Sequence, residues 1–368
     1  MRILLLIFLV SISTGVFAQS PSDWNQYRGN KQLTGVSEEV IPSGIGIQWT
    51  YNTGSSIKAS PVISHNKIII GSTNGNLYCL DMEGNLLWKK QTGNAIEAPA
   101  LILDQKVFVG NLDGTLFCLD LEKGNILWEY KTENQIMGAP NWYSNNRQTY
   151  ILVGSYDFYL HCVNGANGEG VWKYELDNYL NSTVSIDNEM AVFGGCDRFL
   201  HIVHPKTGKA TKKFEIASYI AGSPAMEENV AFLGDYDGGV TCVDMKQKKI
   251  RWSWNNEQNN LPFIASPAIY RDKMYITSRD KFIYCFNKTD GTLEWKKNSG
   301  FRIDASPLVT KSGLLVANMR GDLQLLNLYK GELLWNYELG SAISSNPAVY
   351  NNRIVLGADD GLIYCLGK

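Results

Sequence analysis

The chain has 368 residues with 34 Lys and Arg against 36 Asp and Glu, a formal net charge of −2, which excludes the strongly basic footprint of a nucleic-acid binder. Its 44% hydrophobic content, with 34 Gly, 10 Trp and 19 Tyr and no long charge run, excludes a disordered chain and predicts an ordered protein rich in strands and turns.

In chain order, residues 1–18 read as a secretory signal peptide: Arg2, an apolar run from Ile3 to Val10, and small residues leading to Val16-Phe17-Ala18. The run is too short for the roughly 20 residues of a membrane-spanning helix, so export to the periplasm or the extracellular space is expected. Gln19-Ser20-Pro21 offers no cysteine after the cleavage point, and a lipid anchor is therefore not expected. Without Arg2 the balance becomes 33 against 36 charges, a net −3. Residues 19–45 form an N-terminal lead segment, and residues 46–368 form one repeat domain.

The repeat begins with Ile57-Lys58-Ala59-Ser60-Pro61-Val62, Lys67-Ile68-Ile69-Ile70-Gly71, Gly75-Asn76-Leu77-Tyr78-Cys79-Leu80-Asp81 and Gly84-Asn85-Leu86-Leu87-Trp88. It returns through Val107-Phe108-Val109-Gly110, Leu116-Phe117-Cys118-Leu119-Asp120 and Gly124-Asn125-Ile126-Leu127-Trp128. The closing aromatic falls at Trp49, Trp88, Trp128, Trp172, Phe214, Trp252, Trp295 and Trp335, at spacings of 39, 40, 44, 42, 38, 43 and 40 residues. Four short apolar runs per repeat of this length predict an all-β fold, an eight-bladed β-propeller of four-stranded blades. The last unit stops at Tyr364-Cys365-Leu366, while Gly46 to Trp49 is a fourth strand with no preceding three. Pairing the two closes the ring and removes exposed sheet edges. On this reading, deleting residues 19–50 opens the ring, whereas deleting residues 19–40 is expected to be mild.

Pro61, Pro140, Pro224, Pro267, Pro307 and Pro347 recur at the first strand, which marks it as the inner edge beside a central channel. Asn74-Gly75, Asp113-Gly114, Asp237-Gly238 and Asp360-Gly361 mark hairpin turns between second and third strands. The unit from Leu119 to Trp128 resembles the tryptophan-docking repeat of the pyrroloquinoline-quinone-like (quinoprotein-type) propellers, and the resemblance covers Trp49 to Lys368. The lead Asp23-Trp24-Asn25-Gln26-Tyr27-Arg28-Gly29 resembles that of BamB-like bacterial propellers, which implies a role in outer-membrane protein assembly.

Of the seven cysteines, Cys79, Cys118, Cys162, Cys242, Cys285 and Cys365 share one repeat position. Blades stack about 10 Å apart and a disulfide needs Cα atoms within about 7 Å, so these are read as buried, unpaired thiols. Cys196 stands outside the pattern. His201 and His204 lie three residues apart on a strand and face opposite ways, and His161 and His201 fill the position that Tyr78 and Phe117 hold elsewhere. Asp235-Tyr236-Asp237-Gly238 lacks the further acidic ligands of a calcium loop, and Gly165 to Gly170 joins two strands instead of opening a helix. Catalytic, metal and cofactor-binding residues are thus none. The quinoprotein dehydrogenases that the repeat resembles carry an adjacent cysteine pair against their cofactor; this chain has none, so a quinone is not expected.

The loops from each fourth strand to the next first strand gather at one channel mouth. The first apolar residue follows the closing aromatic by eight positions from Trp88 to Ile96, but by 11 from Trp252 to Phe263. The longer loop carries Trp254, Asn255, Asn256, Asn259 and Asn260, a mixture suited to adaptable recognition. At the second position of the first-strand segment stand Lys58, Glu97, Met137, Asn181, Ala221, Ile264, Asp304 and Ser344, which vary where the blade repeats; Arg302 lies beside them. The expected function is a monomeric, non-catalytic envelope scaffold that binds a protein or peptide partner at this mouth, with no nucleic acid and no transmembrane segment. The alternative is a small-ligand or quinone-binding protein, or an enzyme component.

Overall fold

Within each repeat the second and third strands are apolar on both faces, as in Lys67-Ile68-Ile69-Ile70-Gly71, and such strands are stable only when covered on both sides. The structure, a computed structural model, describes residues 23–145, 147–257 and 260–368; the expected signal peptide at 1–18 and Asn259 lie outside them. Strand β1 (Gly46–Asn52) precedes the first complete blade, made of β2 (Val62–Ser64), β3 (Lys67–Gly71), β4 (Asn76–Asp81) and β5 (Leu86–Gln91). All of β2 is buried, whereas β5 alternates between exposed and half-buried positions, as an outermost strand should. Blade 1 spans residues 62–91, blade 2 101–131, blade 3 141–175, blade 4 185–215, blade 5 225–255, blade 6 268–298, blade 7 308–338, and blade 8 joins 348–367 to β1. The fold is an eight-bladed β-propeller, and among the described residues no helix is long and apolar enough to cross a membrane.

Closure follows the expected register. Strand β1 pairs antiparallel with Leu362–Gly367, from Gly46 opposite Gly367 to Asn52 opposite Leu362, and Trp49 faces Cys365. Every blade therefore has four strands. The closing aromatics stand on the fourth strands and bind each blade to the next. Trp88 donates its indole N–H to the Leu121 carbonyl of blade 2 at 2.9 Å, and its ring covers Gly124. A Cβ at Gly124, whose φ is +67°, would lie 2.6 Å from that ring. Glycine is required there by both conformation and space. In the one unit where the aromatic is Phe214, Lys248 with φ +55° occupies the glycine's place in the next blade. A smaller ring and a residue with a side chain go together.

The repeat-position cysteines sit on third strands opposite the closing aromatics, as Cys79 opposite Trp88 and Cys242 opposite Trp252. All seven cysteines are unpaired. Burial pushes the thiols of Cys79, Cys118, Cys162 and Cys242 up to about 12, so they stay protonated and unreactive. Ellman titration of the unfolded, unreduced chain is expected to find all seven thiols, and the native protein to expose at most the half-buried Cys196. Three mapped disulfides would contradict this arrangement.

The lead segment crosses one end of the channel and hydrogen-bonds to the inner part of each blade in turn. Trp24 exchanges backbone bonds with Ile63, and Asn25 accepts from the Ile102 N–H at 2.7 Å. Gln26 accepts from the Trp142 indole. The carbonyls of Lys31, Gln32, Thr34 and Gly35 then accept from Ile186, Met226, Ile269 and Val309, and the Glu39 carboxylate accepts from the Asn352 N–H. Arg28 is buried at the centre of this plug and donates to the Pro267 carbonyl at 2.9 Å. Burial lowers its pKa to about 10. Removal of residues 19–40 would take these contacts from the blades.

Candidate functional site

With one end of the channel plugged, the opposite end is a blind mouth. Its wall is a ring of side chains one residue before the first-strand prolines. The Thr183 N–H donates to Ser223 Oγ at 2.8 Å, Ser223 to Ser266 at 3.0 Å and Ser266 to Ser306 at 2.9 Å, and the Asn346 N–H donates to Ser60 Oγ at 3.0 Å. Each hydroxyl accepts from the preceding blade, which satisfies an edge N–H that no strand pairs. Pro99 has no N–H to give, and Ala139, next in the ring, carries no acceptor. Tyr27 of the plug forms the floor, with its hydroxyl 3.2 Å from Ser266 Oγ and 3.4 Å from Ser306 Oγ.

Lys58, Glu97, Met137, Asn181, Ala221 and Ile264 line the cavity of about 150 Å³ above that floor. Lys58 and Glu97 form an ion pair at 2.7 Å, and the Asn181 side-chain oxygen is buried without a hydrogen-bond partner. Asp304 receives a bidentate pair of bonds from Arg279, both 3.0 Å, with Arg302 at 3.4 Å. The Asp304 carboxylate holds the Arg279 guanidinium above its ordinary pKa. Ser344 donates to Asp359 at 2.8 Å.

The longer loop has two parts. Trp254 is half-buried and packs into the blade 5 to blade 6 interface against Phe286 at 5.1 Å, Tyr284 at 5.5 Å and Phe263 at 6.4 Å. Asn256 donates to Asp280 and Tyr284, both at 3.1 Å, while Asn255 and Asn260 are exposed. The signal lay in the repeat: Trp254 stands two residues after its closing aromatic, on the fourth strand, as Tyr51, Tyr130, Tyr174 and Tyr337 do, and all of these are half-buried.

The histidines hold hydrogen-bonded triads. The Nε2 of His161 lies 3.0 Å from the Asp157 carboxylate, and its Nδ1 is 3.0 Å from the Tyr130 hydroxyl of blade 2. His201 repeats this with Asp197 and Tyr174. Burial works to raise both carboxyls, but the imidazole and backbone N–H groups outweigh it and hold them below their ordinary pKa. Both histidines are buried. These triads fasten blade to blade where Tyr284 reaches its own Asp280 directly. Among the described residues no group of three or more His, Cys, Asp or Glu is placed to hold a metal ion.

The mouth is also uneven in what it exposes. Over blades 3 to 5, Tyr179, Tyr219 and Tyr236 are more than two-fifths exposed, as is Phe158, and Tyr156 stacks on Tyr179 with centroids 4.8 Å apart. At the equivalent positions blade 6 carries Arg279, blade 7 Arg302 and blade 8 Asp359, and blade 1 Ser56 and Thr73. The sequence signal for this arc lay in the hairpin turns, which vary as much as the first-strand positions do.

Comparison with known proteins agrees with this architecture. The family model described as outer membrane protein assembly factor BamB matches residues 46–178, 145–280 and 279–366. The chain is 27% identical to the human beta-alanine-activating enzyme over 137 residues, 35% of this chain and 12% of that protein. It is 20% identical to outer membrane protein assembly factor BamB of Salmonella typhimurium over 135 residues, 36% of this chain and 33% of that one. The matches thus span a third or less of these relatives. Among solved structures, BamB from Moraxella catarrhalis superposes with a TM-score of 0.75 at 17% identity, covering 89% of this chain and 98% of that one. A europium-containing methanol dehydrogenase superposes at 0.80 with 14% identity, covering 95% and 98%. With that model matching from residue 46 to residue 366, the chain belongs to the pyrroloquinoline-quinone-like repeat family described as outer membrane protein assembly factor BamB.

Proposed function

We propose that this chain is a non-catalytic partner-binding propeller of the cell envelope, which takes a protein or peptide at its open channel mouth in the service of outer-membrane protein assembly. The observation that carries the reading is the asymmetry of the channel. A plug drawn from the chain itself fills one end, and the residues that differ from blade to blade ring the other. A repeated scaffold that varies only at one face presents a recognition surface there. The similarity to proteins named as assembly factors supports the envelope setting.

The quinone alternative, favoured by the dehydrogenase neighbour, does not suit the donor set. The cavity's one lysine and one carboxylate, Lys58 and Glu97, neutralise each other, and Tyr27 forms its floor. No step of a quinone reaction is derived from these residues. The test is twofold. Calorimetric titration of the chain with pyrroloquinoline quinone and calcium is expected to show no saturable heat. Affinity capture from envelope extract is expected to retain a polypeptide that a Tyr219→Ala, Ile264→Asp variant loses. Stoichiometric quinone binding would overturn the reading.

A further inference from the structure

The aromatic half of the mouth carries a backbone anomaly. The last residue of each hairpin turn between second and third strands is left-handed, and five of the eight are Gly75, Gly114, Gly238, Gly321 and Gly361. The other three are Arg198 with φ +69°, Lys281 with φ +78° and, in blade 3, Phe158 with φ +75°, the one aromatic among the eight, its ring 41% exposed. A bulky side chain in this region is strained, and such strain persists where the surroundings or the function demand the side chain. The ring stays two-fifths exposed; it lies against Tyr179, centroids 5.2 Å apart, and extends the row of exposed tyrosines.

The charges beside that row have one sign in excess. Glu133, Asp177 and Asp237 are exposed around it, and Asp235 is buried beneath it with no basic side chain pairing it. Arg198 is an exposed cation among them, Lys213 approaches Asp177 at 4.0 Å, and Arg279, already held by Asp304, borders Tyr236. On the other half of the mouth Glu97 pairs with Lys58 and Asp304 with Arg279. Electron-rich ring faces flanked by unpaired carboxylates attract guanidinium and ammonium groups.

Resting on the reading of the mouth as a recognition face, we infer that the arc of Tyr156, Phe158, Tyr179, Tyr219 and Tyr236 docks an extended basic segment of a protein partner. Its arginines and lysines lie on the rings and face Glu133, Asp177 and Asp237.

The test is fluorescence anisotropy of the full chain with a labelled peptide of alternating Arg and Ser, against a Glu-Ser peptide of equal length. Saturable binding of the basic peptide alone is expected, weakening with salt. The double variant Tyr179→Ala, Tyr219→Ala is expected to lower its affinity roughly tenfold, while Glu169→Ala at the opposite end of blade 3 leaves it unchanged. Phe158→Gly is expected to raise the melting temperature and yet weaken binding, a pairing that a purely structural Phe158 would not give. Absence of binding, preference for the acidic peptide, or equal affinity of the tyrosine variant would overturn the inference. If envelope extract still yields a polypeptide held through the mouth, only this inference falls and the broader function stands.

Discussion

A chain lacking residues 19–50 is expected to aggregate, and one lacking residues 19–40 to remain monomeric with a melting temperature lower by about 10 °C. Both deletions remove the plug. Its buried Trp24 and Leu33 contribute roughly 1.5–3 kcal/mol each, and its backbone hydrogen bonds to the blades about 0.5–1.5 kcal/mol apiece, offset in part by the entropy of ordering the segment. A net loss of about 5 kcal/mol at about 2 °C per kcal/mol gives the expected shift. The longer deletion also removes most of β1, including Trp49. It leaves Leu362–Gly367 as an open edge and breaks the docking of Trp49 onto blade 1, where its indole donates to the Met82 carbonyl at 2.9 Å. An unpaired edge of apolar residues invites pairing with another chain. Thermal unfolding with light scattering separates the outcomes. Equal, monodisperse behaviour of both truncations would rule out closure by β1.

The second large effect concerns the inter-blade aromatics. Trp128→Ala is expected to cost about 3 kcal/mol, the lower end of the range for a large aromatic truncation, because the ring is half-buried. It packs on Phe108 at 5.7 Å and covers Gly168, where a Cβ would stand 2.8 Å from its ring. The variation between units supplies a sharper form of the experiment. Phe214→Trp alone should destabilise, since Lys248 occupies the space a larger ring needs. Phe214→Trp with Lys248→Gly should recover most of the loss. Chemical denaturation of the two singles and the double gives the coupling directly, and simple additivity would show that ring and turn are independent.

The blades were legible because one physical requirement, a planar ring on a residue without a side chain, recurs at a fixed offset, as in Trp88 and Gly124. The same regularity placed the cysteines. The plug was not legible, since Tyr27-Arg28-Gly29 occurs once and its partners stand far along the chain, as Arg28 and Pro267 do. Lys58, Glu97 and Asn181 were identified as mouth residues from their place in the repeat, and they line the cavity. Trp254 was readable in the same way, since it stands two residues after its closing aromatic as Tyr130 and Tyr174 do, although the length of the following segment suggested a loop. The tyrosine arc escaped notice for a different reason. Its members belong to two different loops, Tyr179 and Tyr219 before the first strand and Tyr156 and Tyr236 in the hairpin turn. The backbone bond from the Tyr236 N–H to the Tyr219 carbonyl at 2.9 Å shows how the two are brought together.

The most direct test of the mouth as the recognition face is photo-crosslinking in cells from a benzophenone side chain placed at Ile264 on the cavity wall or at Glu169 on the plugged end. A discrete polypeptide adduct from Ile264, and none from Glu169, is predicted. An adduct from Glu169 with none from Ile264 would contradict the assignment.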